Sequence, residues 1–271
     1  MKWKILVTLM AFFFLFLPIK AIASESLIEY IAREEKTFRV SIFAKQVRVF
    51  ANRLVRGDLT KYTNATAVII GHESRDNKDK DFFYVITAAH VLSEYDQPAS
   101  TISLYVIFPM KKQVADSEPV HYKAELLFPI NWVLEYAFLK VEVPKNDLDN
   151  LNIQVAAISQ EIPKLLEEFW ISGFYQSKYL VVNKAYLSNV VKNEKSNTNG
   201  MPYLITTNLY FIASGVNGPG MSGGGIFNLK GELVALFWAF EGQNIVIAVP
   251  ALLIKENFTE KLKSLEQERQ K

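Results

Sequence analysis

The sequence predicts an all-β chain with a helical segment at each end, on three observations. Between residues 38 and 250, short runs rich in β-branched and aromatic side chains alternate with polar or Pro/Gly breaks, the pattern of strands and turns. Outside that region the apolar spacing changes to that of charged amphipathic helices. The 271 residues include no cysteine, so the chain is no disulfide scaffold and its packed core must hold it together.

Taken in order, residues 1–23 have a composition of their own. Lys2 and Lys4 precede an unbroken apolar run over 5–17, and Ala21-Ile22-Ala23 supplies an A-x-A cleavage site, the layout of a secretory signal peptide. The run is shorter than the ~20 residues of a spanning helix, so no stable membrane anchor is expected after cleavage. The expected location is periplasmic or secreted. Residues 24–37 form an N-terminal helical segment, with Leu27, Ile28 and Ile31 set among charges. Residues 38–143 contain strand runs at 39–43, 65–70, 82–87, 101–108, 121–127 and 136–143. The charged stretch 73–81 lacks the glycine and final glutamate of a calcium loop and reads as a solvated hairpin tip. Within 144–250, residues 144–152 are a polar connection and a second strand set runs from about 155 to 250. Residues 251–271 are a C-terminal helix, amphipathic over 252–270 and expected to lie across the outside.

Charge excludes one class of partner. Lys and Arg number 30 against 28 Asp and Glu, and loss of Lys2, Lys4 and Lys20 with the leader leaves 27 against 28. The basic footprint of a nucleic-acid binder is absent. The three histidines, His72, His90 and His121, are scattered, and no H-E-x-x-H or cysteine pair is present. No metal site and no cofactor are therefore expected. Oligomeric state is left open.

The most informative stretch is Gly218-Pro219-Gly220-Met221-Ser222-Gly223-Gly224-Gly225. Glycines on both sides of Ser222 permit positive φ and close approach of a ligand to the main chain. The Gly220 and Ser222 N–H groups can then converge as an oxyanion hole. The plain alternative is a Gly/Pro surface loop. A serine nucleophile needs a base, usually histidine, and every histidine precedes Ser222. Gly220-Met221-Ser222-Gly223-Gly224 also fits the G-x-S-x-G elbow, but there the histidine follows the serine, so the elbow is excluded. His90 closes an apolar run ending Thr87-Ala88-Ala89-His90; alone, it would read as a buried core histidine. His121 reads as a strand residue and His72 as a turn residue.

Together, Thr87-Ala88-Ala89-His90 and the glycine-rich serine loop resemble the chymotrypsin/trypsin-like serine peptidases, and within them the bacterial HtrA/DegP-like branch, without a PDZ domain. The run over 168–174 is similar to the strand opening the family's second barrel, and 246–250 to its closing strand. The resemblance implies two six-stranded antiparallel β-barrels (chymotrypsin-like) with short N- and C-terminal helices. His90 and an acid would come from the first barrel and Ser222 from the second. The family's Asp precedes a strand of the type Asp-x-Ala-Leu-Leu-Lys-Val; here the run is Glu135-Tyr136-Ala137-Phe138-Leu139-Lys140-Val141, which puts a glutamate at the acid position. Asp116, Asp147 and Asp149 are fallback acids.

The resemblance further implies acyl transfer by Ser222, His90 and Glu135 on a peptide or protein substrate. That substrate would pair along the edge after Leu236, near Trp238, Ala239 and Phe240. Val216 replaces the pocket-floor Asp of trypsin, which argues against Lys or Arg and for a small or apolar residue. Phe240 stands where many relatives carry glycine at the pocket wall, and its ring would narrow the pocket. Met221 replaces the Asp that zymogen-activated relatives pair with a freed N-terminus. Two alternatives stay open: a catalytically silent peptidase-like module that binds peptides or proteins, and an esterase on the same fold.

Overall fold

The computed structural model describes residues 27–55, 58–74, 79–92, 102–111, 119–176, 179–192, 208–215, 217–241 and 244–269. The signal-peptide reading of 1–23, Asp116 and Val216 lie outside them. The chain divides into two compact units, 1–38 and 39–271. The described part of the first is helical, and within it the Thr37 hydroxyl donates to the Arg33 carbonyl one turn back (3.0 Å).

That helix, α1 (Leu27–Ala44), continues into the second unit. It corrects the reading of 39–43 as a strand. Val40 and Ile42 would share one face of a strand, yet Val40 is 54% exposed and Ile42 fully buried. A helix places residues two apart about 200° around its axis, which matches. The first strand is instead β1 (Gln46–Val55), with Val47 and Val49 buried at alternate positions.

The first barrel adds β2 (Asp58–Glu73), β3 (Lys80–Ala88), β4 (Ile102–Ile107), β5 (Tyr122–Leu126) and β6 (Tyr136–Pro144), closed in the order β1-β2-β3-β6-β5-β4. Every pair is antiparallel. Val47, Val49, Ile69, Val85, Val106, Leu139 and Val141 fill its interior. His72 belongs to β2, not to a turn. His121 precedes β5 by one residue, and its ring stacks on Phe50 with centroids 5.4 Å apart.

The second barrel comprises β7 (Glu168–Tyr175), β8 (Tyr179–Lys192), β9 (Asn208–Ser214), β10 (Gly225–Phe227), β11 (Leu233–Glu241) and β12 (Ile245–Pro250), closed in the order β10-β11-β12-β9-β8-β7. Phe169, Ile171, Leu187, Ile212, Ile226, Phe237 and Val246 pack inside it. The strand set expected from about residue 155 begins at Glu168. The preceding segment stitches the barrels together instead. Gln154 N–H donates to Ala44 C=O at the end of α1 and Ala156 N–H to Ile69 C=O in the first barrel (both 2.8 Å), and Ser159 N–H donates to Leu233 C=O in the second (2.9 Å). The C-terminal helix, α3 (Ala251–Arg269), follows the one-turn helix α2 (Lys145–Leu148) in chain order. It lies on the outside of the first barrel, where Phe258 meets Tyr84, Phe128 and Phe138.

At one end of the β2–β3 pair, Asp81 is almost fully buried. His72 Nε2–H donates to its Oδ2 (2.7 Å), Ser74 Oγ–H to its Oδ1 (2.9 Å), and Lys145 Nζ lies 3.8 Å away. Burial by itself raises this carboxyl. The bonds from His72 and Ser74 and the charges of His72 and Lys145 outweigh it and hold the group below its ordinary 3.8. A depressed folded-state value contributes stability present above the ordinary value and lost as pH falls through the folded one. Asp81→Asn is therefore expected to be less stable than wild type at pH 7. The difference should shrink as pH falls below about 4, measured as urea midpoints across pH 2–7.

Candidate active site

His90 lies in a 3₁₀ turn (Ala89–Leu92) that continues β3. Ala88 and Ala89 are fully buried, so their small side chains let the turn tuck against the barrel end. The turn is tied to Glu135, just ahead of β6. Ala89 N–H donates to the Glu135 C=O (3.1 Å), and His90 N–H donates to its carboxylate Oε2 (3.1 Å). His90 Nδ1–H faces the same Oε2 at 3.4 Å. Glu135 is fully buried, while the His90 side chain keeps 26% exposure. One carboxylate oxygen thus takes both donors of the histidine, fixing the ring and directing its proton to Nδ1. Asp147 instead accepts from the Tyr122 hydroxyl at 3.1 Å, and Asp149 caps α2. Neither fallback acid bonds to His90.

The sequence did not show how Glu135 is held. It adopts φ 54°, a left-handed conformation costing a non-glycine residue roughly 1–2 kcal/mol. Asn131 offsets that cost. Its backbone exchanges two bonds with Tyr136 (3.0 and 3.2 Å), its Oδ1 accepts from Leu134 N–H (2.9 Å), and its Nδ2 donates to the Tyr136 hydroxyl (3.0 Å). An Asn four residues ahead of the acid is a turn-forming signal that could have been read.

The serine loop is built from successive turns: Met221 N–H donates to Gly218 C=O (3.2 Å) and Gly224 N–H to Met221 C=O (2.8 Å). Gly220 (φ 90°) and Gly223 (φ 82°) occupy conformations that side chains disfavour. Met221 is fully buried in the second core and anchors the loop. A methyl on Gly223 would meet Thr66 O at 2.2 Å, Thr87 Oγ1 at 2.3 Å and Ala88 N at 2.9 Å. The residue after Ser222 is therefore pressed against the strand that delivers His90.

Ser222 Oγ–H donates to the Trp238 C=O at 3.5 Å, a long contact. Among the described residues, no hydrogen bond joins Ser222 to His90. Nor do the Gly220 and Ser222 N–H groups donate to any backbone carbonyl there, so both remain available to an incoming oxyanion. Trp238 is nearly buried and Phe240 is 44% exposed on β11. The structure thus joins His90 to Glu135 and brings the serine loop against β3.

The Trypsin-like peptidase domain family matches the sequence over residues 65–236, a span holding His90, Glu135 and Ser222. The chain belongs to the trypsin-like peptidase family. This makes it a serine endopeptidase, a hydrolase acting on peptides or proteins. A comparison with curated proteins returns no match. Among solved structures, the peptidase resembles Rv3671c from M. tuberculosis in an inactive serine-to-alanine form. The identity is 16% and the TM-score 0.57, covering 84% of this chain and 92% of the other. The active form of the Rv3671c protease gives 17% and 0.57, covering 81% and 82%. Deg5 gives 14% and 0.56, covering 82% and 93%. These likenesses concern the fold.

Proposed function

We propose that this trypsin-like peptidase is exported and cleaves peptide bonds through an acyl-enzyme, using a Ser222-His90-Glu135 triad. The observation that carries the reading is the paired donation of His90 N–H and Nδ1–H to one buried oxygen of Glu135. The substrate's arrival would draw the Ser222 hydroxyl from Trp238 C=O to His90 Nε2. Ser222 Oγ then bonds to the scissile carbonyl carbon as its proton passes to Nε2. The Gly220 and Ser222 N–H groups receive the oxyanion. On collapse the C–N bond breaks and His90 delivers the proton to the departing amine. Water, deprotonated by His90, then bonds to the acyl carbon, and the ester bond to Ser222 breaks as His90 returns the proton to Oγ. A small or apolar residue next to the scissile bond is the preference suggested by Val216, and the N-terminal leader supports a periplasmic or secreted location.

Purified protein beginning at Ser24 is expected to react with a fluorophosphonate probe, and Ser222→Ala and His90→Ala are expected to abolish that labelling. In this structure the Ser222 hydroxyl donates to Trp238 C=O rather than to His90, and folded protein that takes no label would overturn the triad. Hydrolysis of esters without peptides would select an esterase.

A further inference from the structure

We infer that Thr66 is a positioning residue that locks the serine loop in its oxyanion-binding conformation, an inference resting on the proposed role of Ser222. Ala65 and Ala67 face the interior of the first barrel, so Thr66, between them on β2, faces outward. It is nevertheless fully buried, because the second barrel covers it. Every polar group of Thr66 is engaged, three of the four bonds running to the second barrel. Its N–H donates to Ser222 C=O (3.0 Å) and its hydroxyl to Gly220 C=O (2.8 Å). The hydroxyl oxygen also accepts Phe174 N–H (2.8 Å), and its own C=O accepts the Thr87 hydroxyl (2.7 Å).

These bonds fall where the loop is least constrained by its own sequence. Gly220 is at φ 90°, and glycine can rotate its flanking peptides at little steric cost. Its N–H is one proposed oxyanion donor, and its C=O is the group the Thr66 hydroxyl holds. The peptides that carry the two N–H groups are held at their own carbonyls, Pro219 C=O by Gln176 N–H (2.7 Å) and Met221 C=O by Gly224 N–H (2.8 Å). By holding the carbonyls of Gly220 and Ser222, Thr66 pins the next peptide after each donor, so neither residue can turn about its own φ and ψ. Phe174 N–H, donating to the same hydroxyl oxygen, directs the hydroxyl proton toward Gly220. Thr87, three residues before His90, bonds to Thr66 in turn, so one strand residue aligns the loop of one barrel with the histidine turn of the other.

Thr66→Val keeps the shape and the backbone bond to Ser222 but releases Gly220 C=O and leaves Phe174 N–H without its acceptor. It is expected to lower kcat by about 10- to 100-fold, less than outright removal of an oxyanion donor. KM should stay within about twofold, and fluorophosphonate labelling should slow by the same factor as kcat. Thr66→Ser, which restores the hydroxyl, should recover activity to within about threefold; packing alone would not produce that rescue. If the Val variant does not fold, folded Thr66→Ser against folded Thr66→Ala decides the point, equal activity overturning the inference. A labelled, active wild type with an equally active Thr66→Val overturns the inference alone. A wild type that neither takes label nor turns over substrate overturns the role of Ser222 and the inference together.

Discussion

Glu135→Gln is expected to lower kcat by on the order of 10³-fold with KM little changed. Glu135 Oε2 accepts two donors, His90 N–H and Nδ1–H, while its Oε1 is buried without a hydrogen-bond partner. A glutamine can fill this site in two ways, and both fail. With its amide nitrogen toward His90, donors face donors and the ring is driven to the tautomer with its proton on Nε2. With its oxygen toward His90, the tautomer survives but the charge that stabilises the imidazolium is gone, and the NH₂ group takes the place that offers no acceptor. The unsatisfied donor should also lower stability by about 1–3 kcal/mol. Glu135→Asp keeps the charge on a shorter stem, and a displacement of about 1 Å at such a site costs up to about 10²-fold. The ordering Glu, then Asp, then Gln in steady-state kinetics is the expected outcome. An unchanged kcat in the Gln variant would remove Glu135 as the orienting acid.

How much of this site could be read from residues alone depended on whether the signal was local. His90 and Ser222 stood out because small residues and glycines surround them in sequence, and their tight turns demand those residue types. Glu135 was legible through the strand that follows it, residues 136–143, which the structure forms from Tyr136 to Pro144. Its left-handed backbone and the Asn131 cradle were not, because they arise from one dihedral and its partners rather than from an apolar period. Thr66 was invisible for a different reason: its partner Gly220 is 154 positions away, and a threonine in a strand carries no mark of such a bond. The same non-locality explains the segment before Glu168. Its apolar residues suggested strand, but its hydrogen bonds are divided among Ala44, Ile69 and a single parallel bridge to Leu233 rather than running along one neighbour. At residues 39–43 the misreading came from β-branched composition outweighing the 3.6-residue spacing.

Gly223→Ala is expected to be strongly damaging for a single added methyl, because a backbone clash and a positive φ coincide there. The methyl would be placed 2.2 Å from Thr66 O and 2.3 Å from Thr87 Oγ1, and both of those atoms are already fixed by the bond between them. Neither can retreat without breaking that bond or moving a barrel strand. The backbone angle adds its own cost, since φ 82° is disfavoured for alanine by roughly 1–2 kcal/mol. Overpacking a close-fitting site adds typically about 1–3 kcal/mol, which gives an expected loss of about 2–5 kcal/mol in urea unfolding. Relief has one route, withdrawal of the loop from the first barrel. That route disturbs the geometry of the Gly223 N–H bond to Phe237 C=O in the second barrel, now 2.8 Å, and carries Ser222 away from His90. Activity should therefore fall further than stability: residual folded protein should lose at least about 10²-fold in kcat. Gly215, which has nothing within 4 Å of its added methyl, supplies the control. Gly215→Ala should leave both measurements near wild type, and equal losses at the two positions would show that the loop is not wedged against Thr66 and Thr87.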